Sequence, residues 1–212
     1  MTAGADSRAP LGRDFFARPC LEVAPELLGC LLVRTSRTGV RRVGRIVEVE
    51  AYLGDGSDPA SHSHRGPTPR SQVMFGPPGR FYVYLSMGLH RCVNVVCEPA
   101  GRGAAILLRA LEPLEGLEAM RRARGGRSDR ELCNGPGKLA QAFGITLRDC
   151  GRSALRGSLR IATPLERVHA RVLCGPRIGI SRATARPYRF FLDDNPWVSR
   201  SPLNRKARAR SR

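Results

Sequence analysis

Apolar and polar side chains alternate along Arg45-Ile46-Val47-Glu48-Val49-Glu50-Ala51-Tyr52-Leu53-Gly54. This period of two is typical of a β-strand with two different faces. Because side chains two residues apart share a face, a hydrophobic core is predicted to contact Val47, Val49, Ala51 and Leu53. The opposite face is then formed by Ile46, Glu48, Glu50 and Tyr52.

Glu50 is the residue of most chemical interest on this second face. A carboxylate on a rigid strand can hold a water molecule against an electrophile, and a neighbouring tyrosine can stack on a planar ligand. The alternative interpretation is that Glu48 and Glu50 form only the solvent-exposed face of a sheet, which is the usual position of strand glutamates. The rest of the chain favours the functional interpretation.

Composition limits the classes of partner. At 212 residues the chain fits one domain that buries most of the apolar surface exposed on unfolding. The net charge is +18, and the 36 basic residues include only two lysines, Lys138 and Lys206. Genomic base composition can cause part of this arginine bias, but forked guanidinium groups also suit phosphate contacts. Nucleic acid is therefore the favoured partner. An anionic membrane is the weaker alternative, since no basic amphipathic helix with an aromatic face is visible.

The seven cysteines and four histidines predict neither a disulfide framework nor a zinc site, because they form no Cys-x-x-Cys pair and no His-Glu-x-x-His motif. His62 and His64 could bind a metal, but two loop imidazoles without a carboxylate are more often solvated. We expect no metal and no cofactor. The N-terminus has no apolar signal segment, and no apolar run approaches the length of a membrane span. We therefore expect an intracellular protein without membrane association, in the cytoplasm or nucleoid of a bacterium.

Local patterns outline one domain. After a first strand at 30–34, further strands are predicted at 80–85, 92–97, 104–109 and 188–192, with short Gly-containing connections typical of antiparallel sheets. Helices are predicted from Glu112 to Arg124 and over 136–144. The long loop 54–79 is expected to be functional, since it holds His62, Arg65 and Arg70. Residues 1–13 are expected to be disordered, 14–199 to form the domain, and 200–212 to form a flexible basic tail.

Further strings extend the pattern in order: Asp58-Pro59-Ala60-Ser61-His62, Met74-Phe75-Gly76-Pro77-Pro78-Gly79, Tyr82-Val83-Tyr84, Leu107-Leu108-Arg109-Ala110-Leu111-Glu112-Pro113 and Asn134-Gly135-Pro136-Gly137-Lys138-Leu139. Together with 45–54 they make the chain resemble the alkyladenine (3-methyladenine) DNA glycosylase family, from about Phe15 to Ser199. The resemblance implies a single mixed α/β (α+β) domain with a curved, largely antiparallel sheet and peripheral helices. It also implies an enzyme of base excision repair that flips a damaged purine out of duplex DNA and hydrolyses its N-glycosidic bond.

The resemblance assigns catalytic roles to three positions. Glu50 matches the family's general base, which activates the attacking water and stabilises positive charge on the sugar. Glu48 is the alternative base and is ranked second, as a structural carboxylate. Arg109 matches a residue that holds the water or a neighbouring phosphate, and an ion pair with either glutamate is the alternative interpretation. The carbonyl of Leu192 is expected to be a third ligand of the water.

Other matches concern base recognition. Tyr52, His62 and Tyr84 match the residues that sandwich the flipped base, although sheet packing is the alternative for both tyrosines. Asn94 interrupts an apolar strand and matches the position that contacts the base edge where guanine carries its 2-amino group. Met87 stands where the family often has a tyrosine that wedges into the minor groove, and methionine is also used as a wedge.

The near absence of lysine bears on the reaction type. Glycosylases that cleave the DNA strand usually form a Schiff base through an amine. We therefore expect a monofunctional hydrolase that acts as a monomer on double-stranded DNA containing damaged purines and leaves an intact abasic site. Two alternatives stay open: a non-catalytic arginine-rich nucleic-acid-binding module, and a phosphate-handling enzyme built on 135–138, which lacks the Walker spacing.

Overall fold

The computed structural model describes residues 11–164 and 170–210. Within these residues nine strands form one sheet: β1 (Leu31–Thr35), β2 (Arg41–Tyr52), β3 (Phe81–Ser86), β4 (His90–Cys97), β5 (Ala104–Glu115), β6 (Leu159–Ala162), β7 (Val172–Gly175), β8 (Arg189–Leu192) and β9 (Arg208–Ala209). The same residues form five α-helices: α1 (Arg13–Phe16), α2 (Cys20–Glu26), α3 (Leu117–Ala123), α4 (Asp129–Leu132) and α5 (Pro136–Ala142). Short 3₁₀ turns cover Gln72–Phe75, Leu147–Asp149 and Pro202–Lys206.

β2 is the centre of the sheet, because it is long enough to take partners along both edges. One edge pairs with β5 over most of its length. The other edge pairs with β1 through residues 41–45 and with β8 through residues 48–50. The strand order is β3-β4-β5-β2-β8-β7-β9, and the pairings among the described residues are antiparallel. The expected mixed domain with an antiparallel sheet is confirmed.

The main hydrophobic core lies on the predicted face of β2. Val47 and Val49 are buried in one cluster with Phe16, Val23 and Leu27 from the segment that contains α1 and α2. Full burial of a side chain of this size stabilises the fold by roughly 1.5–3 kcal/mol. The alternation in β2 therefore identified its core face correctly.

The other face of β2 is also buried, which the alternation could not show. Glu48 and Glu50 have no accessible surface, so the interpretation of a solvent-exposed sheet face is wrong. Ile46 is predicted to lie beside the glutamates, but it packs in the same apolar cluster as Val47. The register between β2 and β5 shifts between Ile46 and Glu48, and this irregularity breaks the alternation.

The helix predicted to begin at Glu112 begins only at Leu117. β5 instead continues to Glu115, and Glu112 lies opposite Arg45. The chain turns at Gly116, where φ is 79° and an added Cβ would lie 2.2 Å from a backbone oxygen of β2. Pairing with the long β2 therefore overrides the local helix signal, and only glycine fits the corner.

Both chain ends differ from expectation. Residues 200–210, expected to form a flexible tail, pack on the sheet instead: β9 pairs with β7, and Asn204 accepts a hydrogen bond from Arg189. Residues 211–212 of that tail lie outside the described residues. α1 begins at Arg13, inside the segment expected to be disordered, and residues 1–10 of that segment are likewise outside the described residues.

Candidate active site

One row of side chains crosses five strands, in the order Tyr82, Asn94, Leu107, Glu50 and Arg189. Residues directly opposite each other in antiparallel strands point to the same face of the sheet. Tyr82, Asn94 and Leu107 line a cavity on this face. The strand register therefore places Glu50 on the same face of the sheet as this cavity.

The cavity has a volume of about 570 Å³. Ligand pockets in proteins are typically about 300–1,000 Å³. It is lined by six residues to which the resemblance gave roles, namely Tyr52, His62, Tyr84, Met87, Asn94 and Arg109, and also by Arg70 of the loop 54–79. The structure thus brings together side chains from β2, β3, β4, β5 and the loop 54–79.

Glu50 lies directly behind the wall of this cavity. Its Oε2 accepts a hydrogen bond from the Tyr52 hydroxyl at 2.9 Å, and its Oε1 accepts one from the Ile178 backbone N–H at 2.7 Å. Arg109 Nη1 lies 3.2 Å from Oε1. All three partners line the cavity, whereas Glu50 itself has no accessible surface. Glu50 therefore lies one layer behind the cavity surface, and its three partners form the wall.

The surroundings of Glu50 act on its pKa in opposite directions. Burial has the largest effect and raises the pKa, because it disfavours the charged form. The Arg109 charge and the hydrogen bonds from Ile178 and Tyr52 lower it, and the balance leaves the pKa above its ordinary value. Perturbed carboxyl pKa values are found in catalytic sites and also in structural ion-pair networks.

Arg109 reaches this carboxylate from a bulge in β5. Glu48 lies opposite Ala110 and Val49 lies opposite Leu108, so Arg109 is left without a ladder partner. Bulges re-aim side chains next to active sites. The Arg109 guanidinium lies 3.4 Å from Glu48 and 3.2 Å from Glu50, so the ion pair that was the alternative interpretation forms with both carboxylates.

Glu48 is bound differently from Glu50. Its Oε1 accepts a hydrogen bond from Arg189 at 2.9 Å, and its Oε2 accepts one from the Ser199 backbone N–H at 2.9 Å. Arg189 and Ser199 are both buried, and Glu48 does not line the cavity. These contacts tie β2 to β8 and the C-terminal segment, which agrees with a structural carboxylate.

The aromatic part of the wall contains one tyrosine more than expected. His62 Nδ1 lies 2.9 Å from the Tyr82 hydroxyl, and its ring meets Tyr84 edge-on at 4.5 Å between centroids. Burial lowers the pKa of His62, and the nearby Arg70 lowers it further, so the neutral imidazole is favoured. The period of two in Tyr82-Val83-Tyr84 was a sufficient signal that Tyr82 and Tyr84 share a face.

A buried ion pair missed by the sequence analysis lies behind Tyr52. Arg177 donates two hydrogen bonds to Asp58, at 2.6 and 2.7 Å, and a third to the Ala51 carbonyl at 2.9 Å. Its guanidinium carbon lies 4.6 Å from the Tyr52 ring centroid. The pair joins the loop that holds His62 to the loop that holds Ile178. No local sequence feature distinguishes Arg177 from the other arginines of the chain.

Met87 lies at the tip of the hairpin that connects β3 and β4. Its side chain is 90% exposed, and the neighbouring Leu89 is 76% exposed. Met87 and Gly88 both have positive φ, at 50° and 71°, as tight hairpin turns require. Because Met87 also lines the cavity, the hairpin presents an apolar tip at the cavity mouth.

Leu192 is not part of this site. In β8 it is Arg189, not Leu192, that lies opposite Glu50, while Leu192 pairs with Val172 on β7. The backbone group that contacts the cluster belongs to Ile178 instead, whose carbonyl accepts a hydrogen bond from Arg109 at 3.4 Å. The loop between β7 and β8 folds back over β2, which no strand pattern predicts.

Within residues 11–164 and 170–210, no helix combines the length and the apolar composition that a membrane span requires. Across the same part of the chain, no group of three or more histidine, cysteine, aspartate or glutamate side chains is arranged to hold a metal ion.

The chain is similar to known proteins over most of its length. The methylpurine-DNA glycosylase (MPG) family profile matches residues 14–196. A relative from Rhodopseudomonas palustris, named "Putative 3-methyladenine DNA glycosylase", is 52% identical over 194 residues, which cover 90% of this chain and 88% of the relative. Relatives with the same name from Chlorobaculum parvum and Carboxydothermus hydrogenoformans are 45% and 46% identical, covering 95% and 90% of this chain and 96% and 98% of their own.

The matched region contains β1 to β8, and with them the aromatic cavity and the buried Glu50–Arg109 pair. The family profile and the relatives thus match most of the chain. The chain belongs to the methylpurine-DNA glycosylase family.

Proposed function

We propose that the protein is a monofunctional DNA glycosylase that takes an alkylated purine from duplex DNA into the 570 Å³ cavity and hydrolyses its N-glycosidic bond. The observation that carries this proposal is the ionic pair of Glu50 and Arg109 behind an aromatic-lined cavity. A non-catalytic arginine-rich binding module explains the net charge of +18 but gives no reason for a carboxylate buried behind such a wall.

Glu50 acts as the general base in this mechanism. Cleavage between C1′ and a purine passes through an oxocarbenium-like state, in which positive charge develops on the sugar. A carboxylate beside C1′ stabilises that charge and accepts a proton from the attacking water. Arg109 keeps Glu50 ionised and oriented, since it lies 3.2 Å from Oε1.

The attacking water has to reach a carboxylate that has no accessible surface. The Tyr52 hydroxyl, the Ile178 N–H and Arg109 cover Glu50. Of these three, only the Ile178 N–H belongs to a loop rather than to a strand. We infer that this loop yields its hydrogen-bonding position to water when the nucleotide enters, and that the Ile178 backbone then contacts the same water.

The aromatic wall supplies the affinity for the base. A purine alkylated at N3 or N7 is cationic, and an aromatic face then adds a cation–π contribution of ~0.5–2 kcal/mol. Base stacking on an aromatic side chain contributes about 1–3 kcal/mol. The proposal is supported by Tyr52 and His62, which line the cavity, and by Tyr84, which packs against His62. Asn94 lines the cavity and donates its side-chain N–H to the Tyr82 carbonyl at 3.0 Å, which fixes the amide's orientation. We expect this amide to contact the edge of the bound base.

The tip of the hairpin between β3 and β4 inserts a side chain where the flipped base has left the duplex. Minor-groove proteins insert apolar side chains between base steps to unstack them. Met87 and Leu89 are exposed apolar residues on one hairpin, and Met87 borders the cavity. Met87 would fill the space from which the purine leaves.

Base release is the direct test. Duplexes carrying 3-methyladenine, 7-methylguanine, hypoxanthine or ethenoadenine are incubated with the protein, and the free base and the abasic strand are measured. Release of at least one of these bases with an intact DNA strand is expected. Tight binding without any base release would favour the non-catalytic alternative.

A further inference from the structure

A second cavity, of about 770 Å³, lies apart from the proposed lesion pocket and shares no residue with it. It is lined mostly by basic and polar side chains, with one apolar residue (Leu147) and one acidic residue (Asp149): Arg34, Thr35, Ser36, Arg37, Arg91, Thr146, Leu147, Arg148, Asp149, Arg152 and Ser158. We refer to these residues as the basic cleft. Its composition suits an extended polyanion rather than a planar base, because it contains no aromatic side chain.

The charge of the basic cleft is largely uncompensated. Asp149, its one acidic residue, is buried and bound to Arg34 at 2.7 Å. Arg37, Arg91, Arg148 and Arg152 are exposed, and none of them forms an ion pair with another residue of the described chain. Four unpaired guanidinium groups around one groove repel each other unless an anion lies between them.

The basic cleft and the lesion pocket lie on opposite sides of one hairpin. Arg91 and Cys92 are neighbours on β4, so their side chains point to opposite faces of the strand. Cys92 lines the lesion pocket, and Arg91 lines the basic cleft. Arg91 pairs with Leu85 on β3, and the turn between these strands carries Met87.

We propose that the basic cleft binds the phosphodiester backbone of the complementary, undamaged strand of the duplex whose lesion occupies the pocket. This rests on the proposed function, since it assumes that Met87 enters the minor groove. The two backbones flank that groove, which is about 6 Å wide. A hairpin inserted into it has the damaged strand on its pocket side and the complementary strand on its Arg91 side. Guanidinium groups on that side meet phosphates.

The basic cleft then makes the enzyme dependent on duplex DNA. It contributes affinity without sequence preference, because phosphate contacts carry no base information. Each phosphate neutralised by an arginine releases counterions and adds about 0.9 to the slope of log affinity against log salt.

Neutral methylphosphonate linkages test the proposal with the wild-type protein. Three duplexes are compared: one unmodified, one with methylphosphonates opposite the lesion in the complementary strand, and one with the same number next to the lesion in the damaged strand. Their dissociation constants are measured between 50 and 200 mM salt for the wild type, for R37A/R91A/R148A/R152A, and for a control, R13A/R122A/R127A/R208A. The control removes the same charge from four exposed arginines outside both cavities.

Modification of the complementary strand is expected to weaken wild-type binding at least tenfold and to leave the cleft variant unchanged. On the unmodified duplex, the slope of log affinity against log salt is expected to be smaller by about 3–4 for the cleft variant than for the wild type. The slope of the control variant is expected to change much less. The proposal is overturned if the cleft variant stays sensitive to the complementary strand, if it loses sensitivity only to the damaged strand, or if both variants lose equal affinity.

Failure of the cleft proposal can be distinguished from failure of the proposed function. Wild-type base release from the unmodified duplex tests the proposed function alone. If base is released but methylphosphonates in the complementary strand have no effect, only the cleft proposal fails. Binding of an RNA duplex to the wild type and to the cleft variant is also measured. A larger loss of affinity for duplex RNA than for duplex DNA in the cleft variant would contradict the proposal.

Discussion

Arg109 Nη1 lies 3.2 Å from Glu50 Oε1, although the two residues come from different strands and Arg109 occupies a bulge. This relationship joins the electrostatics of the buried carboxylate to the wall of the cavity. Arg109 also lies 3.4 Å from Glu48, which is paired in addition with Arg189. The charge state of Glu50, and with it the proposed chemistry, therefore depends on Arg109.

Replacing Arg109 should change the pH dependence of base release. Glu50 acts only when ionised, so the rate falls as the pH drops through its pKa, which burial holds above the ordinary value. Removing a neighbouring positive charge raises that pKa further. We expect Arg109→Met to move the acid limb of the single-turnover pH profile to higher pH, whereas Arg109→Lys, which keeps the charge, leaves it nearly in place.

Arg45→Met is the matched control for this experiment, since it removes an arginine from the partly exposed Arg45–Glu112 pair between β2 and β5. Its profile should coincide with the wild type. An acid limb that does not move in Arg109→Met, or that moves equally in Arg109→Lys, would contradict the electrostatic role of Arg109.

The buried Asp58–Arg177 pair should be costly to break. Asp58→Ala leaves the Arg177 charge unpaired, and loss of one partner in a buried pair destabilises a protein by about 3–5 kcal/mol. The free energy of unfolding is measured by urea titration. Glu26→Ala, which breaks the exposed Arg18–Glu26 pair, is the control, and it should cost no more than ~1 kcal/mol. Equal effects of the two substitutions would show that the Asp58–Arg177 pair does not hold the two loops together.

Met87 should affect lesion binding without supporting the fold. Its φ of 50° is unfavourable for a residue with a side chain and is readily adopted by glycine. We expect Met87→Gly to leave thermal stability unchanged or raised and to weaken binding of lesion duplex by tenfold or more, because the wedge is lost. Met87→Tyr, with more stacking area, should bind at least as tightly as the wild type. A Met87→Gly variant with undiminished affinity would remove the wedge from the mechanism.

The two lysines should form no covalent intermediate. Lys138 donates to Asn134 Oδ1 at 2.8 Å and lies on α5, and neither Lys138 nor Lys206 lines the cavity. Incubation of a lesion duplex with borohydride should therefore trap no protein–DNA complex. A glycosylase with lyase activity serves as the positive control. A trapped band that disappears in Lys138→Ala would show that the enzyme is bifunctional.

Contacts close in sequence were predictable, and contacts between distant segments were not. The alternation in 45–54 predicted β2, and short connections predicted the antiparallel β3–β4 hairpin. The sequence did not show that Ile178 covers Glu50 from 128 positions away, or that Arg177 binds Asp58 from 119 positions away. Both contacts depend on how the loop between β7 and β8 folds over β2. For the same reason the resemblance placed Leu192, rather than Ile178, beside Glu50.

The extent of β5 illustrates the same limit. Residues from Glu112 onward have a good helix signal, but a neighbouring long strand offers them hydrogen bonds up to Glu115. Tertiary pairing decides between two locally acceptable conformations, and local sequence does not encode which partner is near.

The most direct measurement is the single-turnover rate of base release by Glu50→Gln on duplex DNA containing 7-methylguanine. Glutamine keeps the size of the side chain but cannot accept the proton, and general-base contributions are about 10²–10⁴-fold. Catalysis by Glu50 predicts a rate loss of that size with lesion binding retained and with Glu48→Gln losing far less. A Glu50→Gln enzyme that binds the lesion duplex and releases the base at the wild-type rate would contradict it.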